Sequence, residues 1–202
     1  MAEMKLQSKI RRKYKVTTLS DHRKPRSPNH LMQDFTVKKS NEVWLSDITY
    51  INTHEGTLYL ASVLDLCTRK IVGWSLANRM PAELVVGAFD MALKRQNPPQ
   101  FLLFHSDQGS QYASDLLRSK AAENGVILSM SRRGNCWDNA PKESFFALLK
   151  RELVYHEVFK TRDEAKAKIF EWIECFYNRE RIHSSIGYKT PIEKEAELML
   201  AA

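Results

Sequence analysis

The segment Val43–Thr53, VWLSDITYINT, decides the fold of this 202-residue chain, because it predicts the first long strand of the folded domain. It is rich in β-branched and aromatic residues, and so is Thr57–Leu66, TLYLASVLDL, which follows His54-Glu55-Gly56. Two such runs joined by a short connection that contains glycine are typical of a β-hairpin. Lys70–Leu76 predicts a third strand after the turn at Cys67-Thr68.

Helices and strands follow this hairpin in turn. A helix is expected after Pro81, with apolar residues at helical spacing on one face, and it ends before Pro98-Pro99. Phe101–His105 and Val126–Met130 are short apolar runs that predict buried strands, and Ser114 is a candidate N-cap for a helix between them. With further helices near the C-terminus, the order predicts an α/β domain. Its mixed sheet has three leading antiparallel strands plus two further strands, flanked by helices.

Basic residues are concentrated at the start of the chain. The chain has a formal net charge of +7, and residues 1–40 hold 11 Lys and Arg against 3 Asp and Glu, so the remainder is close to neutral. We therefore divide the chain into a basic, partly extended N-terminal arm, residues 1–40, and a core domain with C-terminal helices, residues 41–202, which is large enough to be catalytic. Such an arm is suited to binding a polyanion, and nucleic acid is the first candidate. The alternative interpretation is a solvated tail.

The composition argues against membrane and secreted proteins. Hydrophobic residues make up 43% of the chain, but the longest apolar runs are far shorter than the ~18 residues that span a bilayer. No apolar stretch follows the basic N-terminus, as a secretory signal would require. Three widely spaced cysteines, Cys67, Cys136 and Cys175, favour free thiols in a reducing cytoplasm over a disulfide framework or a zinc site.

Three acidic residues lie where the predicted elements could bring them together. Asp47 is inside the first strand, Asp107 directly follows Phe101–His105, and Glu143 is in the first turn of a helix that Asn139 is predicted to cap. A carboxylate inside an apolar strand is costly to bury unless it is paired or metal-bound, and ligands favour the carboxyl ends of strands. Each acid alone also has an ordinary structural explanation, such as a favourable helix dipole for Glu143.

Spacing distinguishes this triad from two other aspartates. We expect Asp65 to close a turn and Asp138 to serve a helix entrance. Thirty-five residues separate Asp107 from Glu143, and Lys150 follows Glu143 by seven positions. Positions i and i+7 of an α-helix lie about 20° apart, so one helix would present a carboxylate for a metal and a cation for a DNA phosphate.

The motifs around these acids resemble the integrase-type catalytic core of bacterial insertion-sequence transposases, in particular the family numbered three among insertion sequences. The resemblance covers nearly the whole chain from about Lys9 onward. The matching segments are Trp44–Tyr50, Asp65–Trp74, His105–Tyr112, Gly134–Phe146, Tyr177–Arg179, Arg181–His183, Gly187-Tyr188 and Thr190-Pro191.

The resemblance implies a ribonuclease-H-like fold in which Asp47, Asp107 and Glu143 are catalytic and hold two divalent metal ions. Hard oxygen ligands suit Mg²⁺ or Mn²⁺ better than zinc. The family reaction is hydrolytic nicking at element ends, followed by attack of the freed 3′-hydroxyl on another DNA strand. The implied partners are double-stranded DNA, as element ends and target, and a second copy or a full-length transposase. The implied location is the bacterial cytoplasm, on the nucleoid.

Five residues are predicted to contact DNA: Lys150, Lys142, Arg132, Arg133 and Asn135. Lys150 is expected near the cleaved phosphate, with an ordinary surface lysine as the alternative. Arg132, Arg133 and Asn135 lie on the loop that leads to Glu143. Lys142 points about 100° away from Glu143 on the same helix, which leaves its role open.

Two other functions stand beside the strand-transfer enzyme. Family transposases generally carry a DNA-recognition region upstream of this core, whereas here about forty residues precede Glu42. The first alternative is therefore a truncated DNA-binding regulator that pairs with a full-length transposase. The second is a nuclease of the same fold that only hydrolyses.

Overall fold

A computed structural model describes residues 26–132 and 136–201 of the chain. Five strands form one sheet in the order β3-β2-β1-β4-β5. The first three strands pair in antiparallel fashion, whereas β4 is parallel to β1 and β5 is parallel to β4, which confirms the predicted mixed sheet. The strands are β1 Val43–Thr53, β2 Gly56–Asp65, β3 Ile71–Ala77, β4 Leu103–Ser106 and β5 Ile127–Met130.

The connection between β1 and β2 contains Gly56, as the predicted hairpin requires. Thr53 is paired with Gly56, and the φ of Gly56 is 108°, a conformation that side chains rarely adopt. The backbone N–H of His54 also donates to the carbonyl of Phe159, so the hairpin end is attached to the C-terminal half of the chain.

Five α-helices cover the sheet. Within the described ranges, no helix is long and apolar enough to cross a membrane. The predicted N-cap of α2 is confirmed, because the Ser114 side chain accepts a hydrogen bond from the backbone N–H of Leu117. The helix α4, Arg162–Glu171, passes into a π-helical segment, Trp172–Tyr177. The helices are α1 Ala82–Gln96, α2 Asp115–Glu123, α3 Ala140–Glu152, α4 Arg162–Glu171 and α5 Pro191–Leu200.

Side chains alternate along β1 between two hydrophobic cores. Leu45 and Ile51 pack in one core with residues of α3 and α4, whereas Trp44 packs in the other core with residues of α1 and α2. Asp47 has the same parity as Leu45 and Ile51. It therefore lies on the face of the sheet that α3 covers.

The described part of the predicted N-terminal arm, residues 26–40, contains no helix or strand and packs on the domain. Leu31 is buried in the core that contains α3, the backbone N–H of His30 donates to Ser129 Oγ, and Pro28 O accepts from Met130. The larger part of the arm, residues 1–25, lies outside the described residues. The domain division after residue 40 stays a prediction.

Candidate active site

Asp47 lies on β1, and Asp107 directly follows the neighbouring parallel strand β4 at the same level of the sheet. Leu45 of β1 is paired with His105 of β4, and each aspartate follows its paired residue by two positions. Asp107 directly follows the last residue of β4, as predicted. Since side chains alternate along a strand, both carboxylates continue the face that carries α3.

The two carboxylates are hard to ionise together. Burial raises the pKa of Asp47 to about 7, and the charge of Asp107 adds to this effect. The backbone N–H of Ile48 donates to Asp47 Oδ1 at 2.7 Å and offsets part of it. Burial also raises the pKa of Asp107, while the Gly109 N–H, 2.9 Å from its Oδ1, lowers it. Neighbouring desolvated carboxylates of this kind favour a proton or a cation between them.

Glu143 reaches this region from α3. It lies in the first turn of α3. The residue as a whole is exposed, but partial burial of its carboxyl group raises its pKa. Its charge makes the smallest of the contributions to the raised pKa of Asp47. Phe145 and Leu149 are buried in the core beneath α3 and attach the helix to the sheet.

Asn139 is the N-cap residue of α3, as predicted, but its side chain makes no capping hydrogen bond among the described contacts. Its Nδ2 instead donates to the carbonyl of Ser46 at 3.3 Å. The side chain therefore attaches the start of α3 to β1, one residue before Asp47.

The oxygen atoms around Asp47 are suitable ligands for a hard divalent cation, because they belong to carboxylates whose negative charges repel one another. In residues 26–132 and 136–201, however, no group of three His, Cys, Asp or Glu side chains comes close enough to hold a metal ion. The structure thus brings Asp47 and Asp107 together and places Glu143 at the border of the same region.

Lys142 is completely buried, with 0% of its surface exposed, so the predicted contact with DNA is corrected. Its Nζ donates to Ser62 Oγ, and Ser62 is the partner of Asp47 across β1 and β2. Burial lowers the pKa of Lys142 well below its usual range, although Asp47 opposes this. The helical spacing from Lys142 to Phe145, Phe146 and Leu149 was the signal in the sequence that this lysine faces the core.

Lys150 is the cation that the structure leaves beside the carboxylates. It is half-buried, and its Nζ lies 4.9 Å from the ring centroid of Tyr50. Burial lowers the pKa of Lys150, whereas Asp47 raises it, which places the ammonium within electrostatic range of the site. Its contact with DNA stays a prediction.

Asp138 lies at the entrance of α3, as predicted, but the sequence did not indicate its burial or its partners. It is 0% exposed and accepts hydrogen bonds from the backbone N–H and the guanidinium of Arg132, the latter at 2.8 Å from Nη2. Asn29 Nδ2 and Gln33 Nε2 donate to the same carboxylate at 3.0 and 2.7 Å. The loop before α3 is thereby attached to the segment before β1. Arg133 and Asn135 of this loop lie outside the described residues.

Asp65 closes a turn, as predicted. Its Oδ1 accepts hydrogen bonds from the backbone N–H and the hydroxyl of Thr68, both at 2.8 Å. The backbone N–H of Asn41 donates to its Oδ2 at 2.7 Å. These bonds satisfy the carboxylate within the β2–β3 connection and separate its role from that of Asp47.

The five-stranded mixed sheet and the two neighbouring aspartates belong to a chain of the integrase-core class. A family model for the Integrase core domain matches residues 37–136, and a second Integrase core domain model matches residues 124–191. The chain belongs to the IS3 family of insertion-sequence transposases.

Three curated relatives support this family assignment. The chain is 47% identical over 189 residues to an uncharacterized 31 kDa protein of insertion element IS600 from Shigella sonnei, covering 94% of the chain and 70% of the relative. It is 48% identical over 168 residues to the IS904 transposase of Lactococcus lactis, covering 83% of the chain and 66% of the relative. It is 42% identical over 190 residues to the IS3A transposase InsF of Escherichia coli, covering 94% and 66%.

Solved retroviral integrases share the fold. The catalytic core of BIV integrase has a TM-score of 0.60 at 18% identity and covers 80% of this chain and 97% of its own. An HTLV-2 integrase core in complex with magnesium has a TM-score of 0.56 at 14% identity, covering 78% and 96%. A simian T-cell lymphotropic virus intasome has a TM-score of 0.65 at 13% identity, covering 87% and 60%. The fold is therefore ribonuclease-H-like, as the sequence predicted.

Proposed function

We propose that this chain catalyses metal-dependent phosphodiester hydrolysis and DNA strand transfer at the ends of an insertion element. Asp47, Asp107 and Glu143 are the proposed catalytic residues. The observation that carries the proposal is the proximity of Asp47 on β1 and Asp107 after the paired strand β4, where desolvated carboxylates favour a proton or a cation between them. The IS904 and IS3A relatives, which are named as transposases, support the same activity.

The three carboxylates are proposed to hold two divalent ions, Mg²⁺ or Mn²⁺. A magnesium complex of the HTLV-2 integrase core supports this choice of metal. When bound, such ions activate the attacking oxygen and stabilise the leaving oxygen of an in-line displacement. Carboxylates act as ligands in their ionised form, so the proton that a pKa of about 7 retains on Asp47 must leave before it can bind a metal.

Lys150 is proposed to bind a phosphate of the DNA strand that reaches Glu143. It follows Glu143 by two helical turns and lies beside the exposed ring of Tyr50. Arg132 has a side chain that is 60% exposed although it is paired with Asp138, so part of its guanidinium faces solvent. We propose Arg132, Arg133 and Asn135 as further DNA contacts on the loop before α3.

The proposed partners are the element ends, the target DNA and further copies of a transposase chain. Solved HTLV-2 integrase cores exist in dimeric and trimeric forms, which supports an oligomer. The chain spans 66–70% of the length of these curated relatives. The proposed place of action is the bacterial nucleoid.

A strand-joining assay tests this function. The chain is incubated with a labelled duplex that ends in the candidate element terminus, a longer target duplex and Mn²⁺, beside Asp107→Asn and the exposed surface variant Asp115→Asn. We expect joined products longer than the substrate with wild type and Asp115→Asn, and none with Asp107→Asn. Shortened products alone would mean hydrolysis without transfer. Bound but unchanged DNA in every sample would contradict the enzyme and favour a regulator.

A further inference from the structure

A cavity of about 220 Å³ lies beside α3, apart from the carboxylates of the proposed active site. Three parts of the chain meet around it: the β2–β3 connection with Arg69, α3 with Ser144, and the C-terminal segment with Tyr177, His183 and Ser185. Ser144 and Ser185 are exposed, so their hydroxyls lie at the open end of the cavity. The proposed function uses none of these residues.

Arg69 is among the residues that line this cavity, and burial lowers the pKa of its guanidinium although the charge of Asp65 raises it. Its Nε is buried and has no hydrogen-bond partner, and its guanidinium forms no ion pair with any carboxylate in the described part of the chain. The backbone at Arg69 has a φ of 63°, and its carbonyl accepts a hydrogen bond from the Tyr177 hydroxyl at 3.0 Å. These two features fix the backbone of Arg69 beside Tyr177.

His183 adds a second buried donor. The residue is 8% exposed and its ring lies edge-on to Tyr177, with the centroids 4.9 Å apart. Its Nδ1 is 3.4 Å from Arg181 Nη1, and a guanidinium can only donate, so Nδ1 is the acceptor and Nε2 carries the hydrogen. Burial lowers the pKa of His183 to about 4, which keeps the ring neutral. Nε2 is buried and unpartnered among residues 26–132 and 136–201.

Arg69 brings a guanidinium to the wall of this cavity, Ser144 and Ser185 bring hydroxyls, and His183 brings a ring with a buried N–H that has no partner among the described residues. Buried donors without acceptors are rare in folded proteins, because each one forfeits its hydrogen bond to water. An oxyanion satisfies several donors at once, and arginine forms strong, charge-assisted bonds with phosphate. We propose that this cavity is an oxyanion site that takes a phosphate group.

The backbone of the DNA substrate is the source of phosphate that this position favours, a point that rests on the proposed function. Ser144 directly follows Glu143 in α3, so the two side chains point about 100° apart around the same helix turn. The open end of the cavity therefore lies one residue along α3 from Glu143, within reach of a DNA strand bound there. Free phosphate, alone or on a small molecule, has the same chemistry and is the other source to be distinguished.

The imidazole of His183 reports directly on occupancy. The full chain carries six histidines, so histidine side-chain ¹⁵N spectra contain few signals, and His183 is assigned through its contact with the Tyr177 ring. The protein is kept in EDTA, so that ions at the carboxylates do not capture the ligand. Inorganic phosphate is added in one titration and a short DNA duplex in a second. We expect phosphate to shift the Nε2 signal of His183.

A variant with a matched control tests the role of Arg69. Asn tolerates a positive φ better than most residues, so Arg69→Asn removes the guanidinium at little conformational cost. Lys94→Asn removes one charge from an exposed position of α1, on the opposite face of the sheet. We expect Arg69→Asn to weaken phosphate binding by roughly ten- to a hundredfold and Lys94→Asn to leave it unchanged.

The outcomes separate this site from the proposed function. A His183 response to both ligands assigns the site to a DNA phosphate, and a response to inorganic phosphate alone assigns it to a free phosphate. No response to either ligand, or equal responses in wild type and Arg69→Asn, overturns the site. Because the measurement needs neither metal nor catalysis, phosphate binding stands even if strand joining fails, and joining stands even if His183 does not respond.

Discussion

Asp47 on β1 and Asp107, directly after the adjacent parallel strand β4, each lie two residues beyond the pair Leu45 and His105. This register makes the carboxylates neighbours although fifty-nine residues of chain separate them. One of the two must then hold a proton or face a cation. The proposed activity and the pH dependence of the metal-free protein both follow from this proximity.

The first prediction concerns stability in the absence of metal. Folding raises the pKa of Asp47 from 3.8 to about 7, so the folded state binds a proton more tightly than the unfolded state. Wild-type stability should therefore fall as pH rises from about 4 to 7, whereas Asp47→Asn should not show this fall. Urea unfolding in EDTA should find the variant more stable above neutral pH by up to about 4 kcal/mol. Parallel pH profiles for the two proteins would contradict the raised pKa.

The second prediction separates two lysines of α3. Lys150 is half-buried beside the carboxylates, whereas Lys142 has no exposed surface. Lys150→Met should reduce the steepness with which log affinity for DNA falls against log salt by about 1, because one phosphate contact is lost. Lys142→Met, with a side chain of similar volume, should leave the slope unchanged. An equal reduction by both substitutions would contradict the buried position of Lys142.

The third prediction concerns the loop before α3. Asp138 is completely buried, and the side chain of Arg132 lowers its pKa well below the usual range. Asp138→Asn should reduce the free energy of unfolding by about 2–3 kcal/mol, because Arg132 loses its charged partner and a buried acceptor becomes a donor. Asp115→Asn, at a surface pair whose aspartate is 94% exposed, should cost under about 0.5 kcal/mol. Chemical denaturation at neutral pH measures both.

The pH dependence of the Asp138 contribution has the opposite sign to that of Asp47. A lowered pKa means that the folded state releases the proton more readily, so the stabilisation is present above about pH 4 and is lost only in stronger acid. The difference between wild type and Asp138→Asn should therefore stay constant through neutral pH. A difference that disappears near neutrality would show that another group is responsible.

Local patterns predicted the elements that contain the proposed catalytic residues. β-branched and aromatic composition predicted β1 with the observed bounds, Val43–Thr53, and an apolar run placed Asp107 directly after β4. Ser114 was recognisable as an N-cap because its hydrogen bond closes within three residues. These features depend on short-range geometry, which residue order determines directly.

Features that depend on long-range packing were not predictable in the same way. The hydrogen bond from Lys142 to Ser62 spans 80 positions, and Asp138 is held by Asn29 and Gln33 from more than 100 positions away. The site beside Arg69 and His183 likewise exists only where three distant parts of the chain meet. Helical spacing could have identified the face of Lys142, but not its partner.

A Mn²⁺ titration of the metal-free chain, followed by electron paramagnetic resonance, tests most directly whether the three carboxylates form one site. Wild type is compared with Asp107→Asn, Glu143→Gln and a matched control, Glu123→Gln, on an exposed position of α2. Asp107→Asn and Glu143→Gln should each weaken Mn²⁺ binding by roughly tenfold or more, and Glu123→Gln should not. If Glu143→Gln binds Mn²⁺ as wild type does, α3 contributes no ligand and the proposed triad is contradicted.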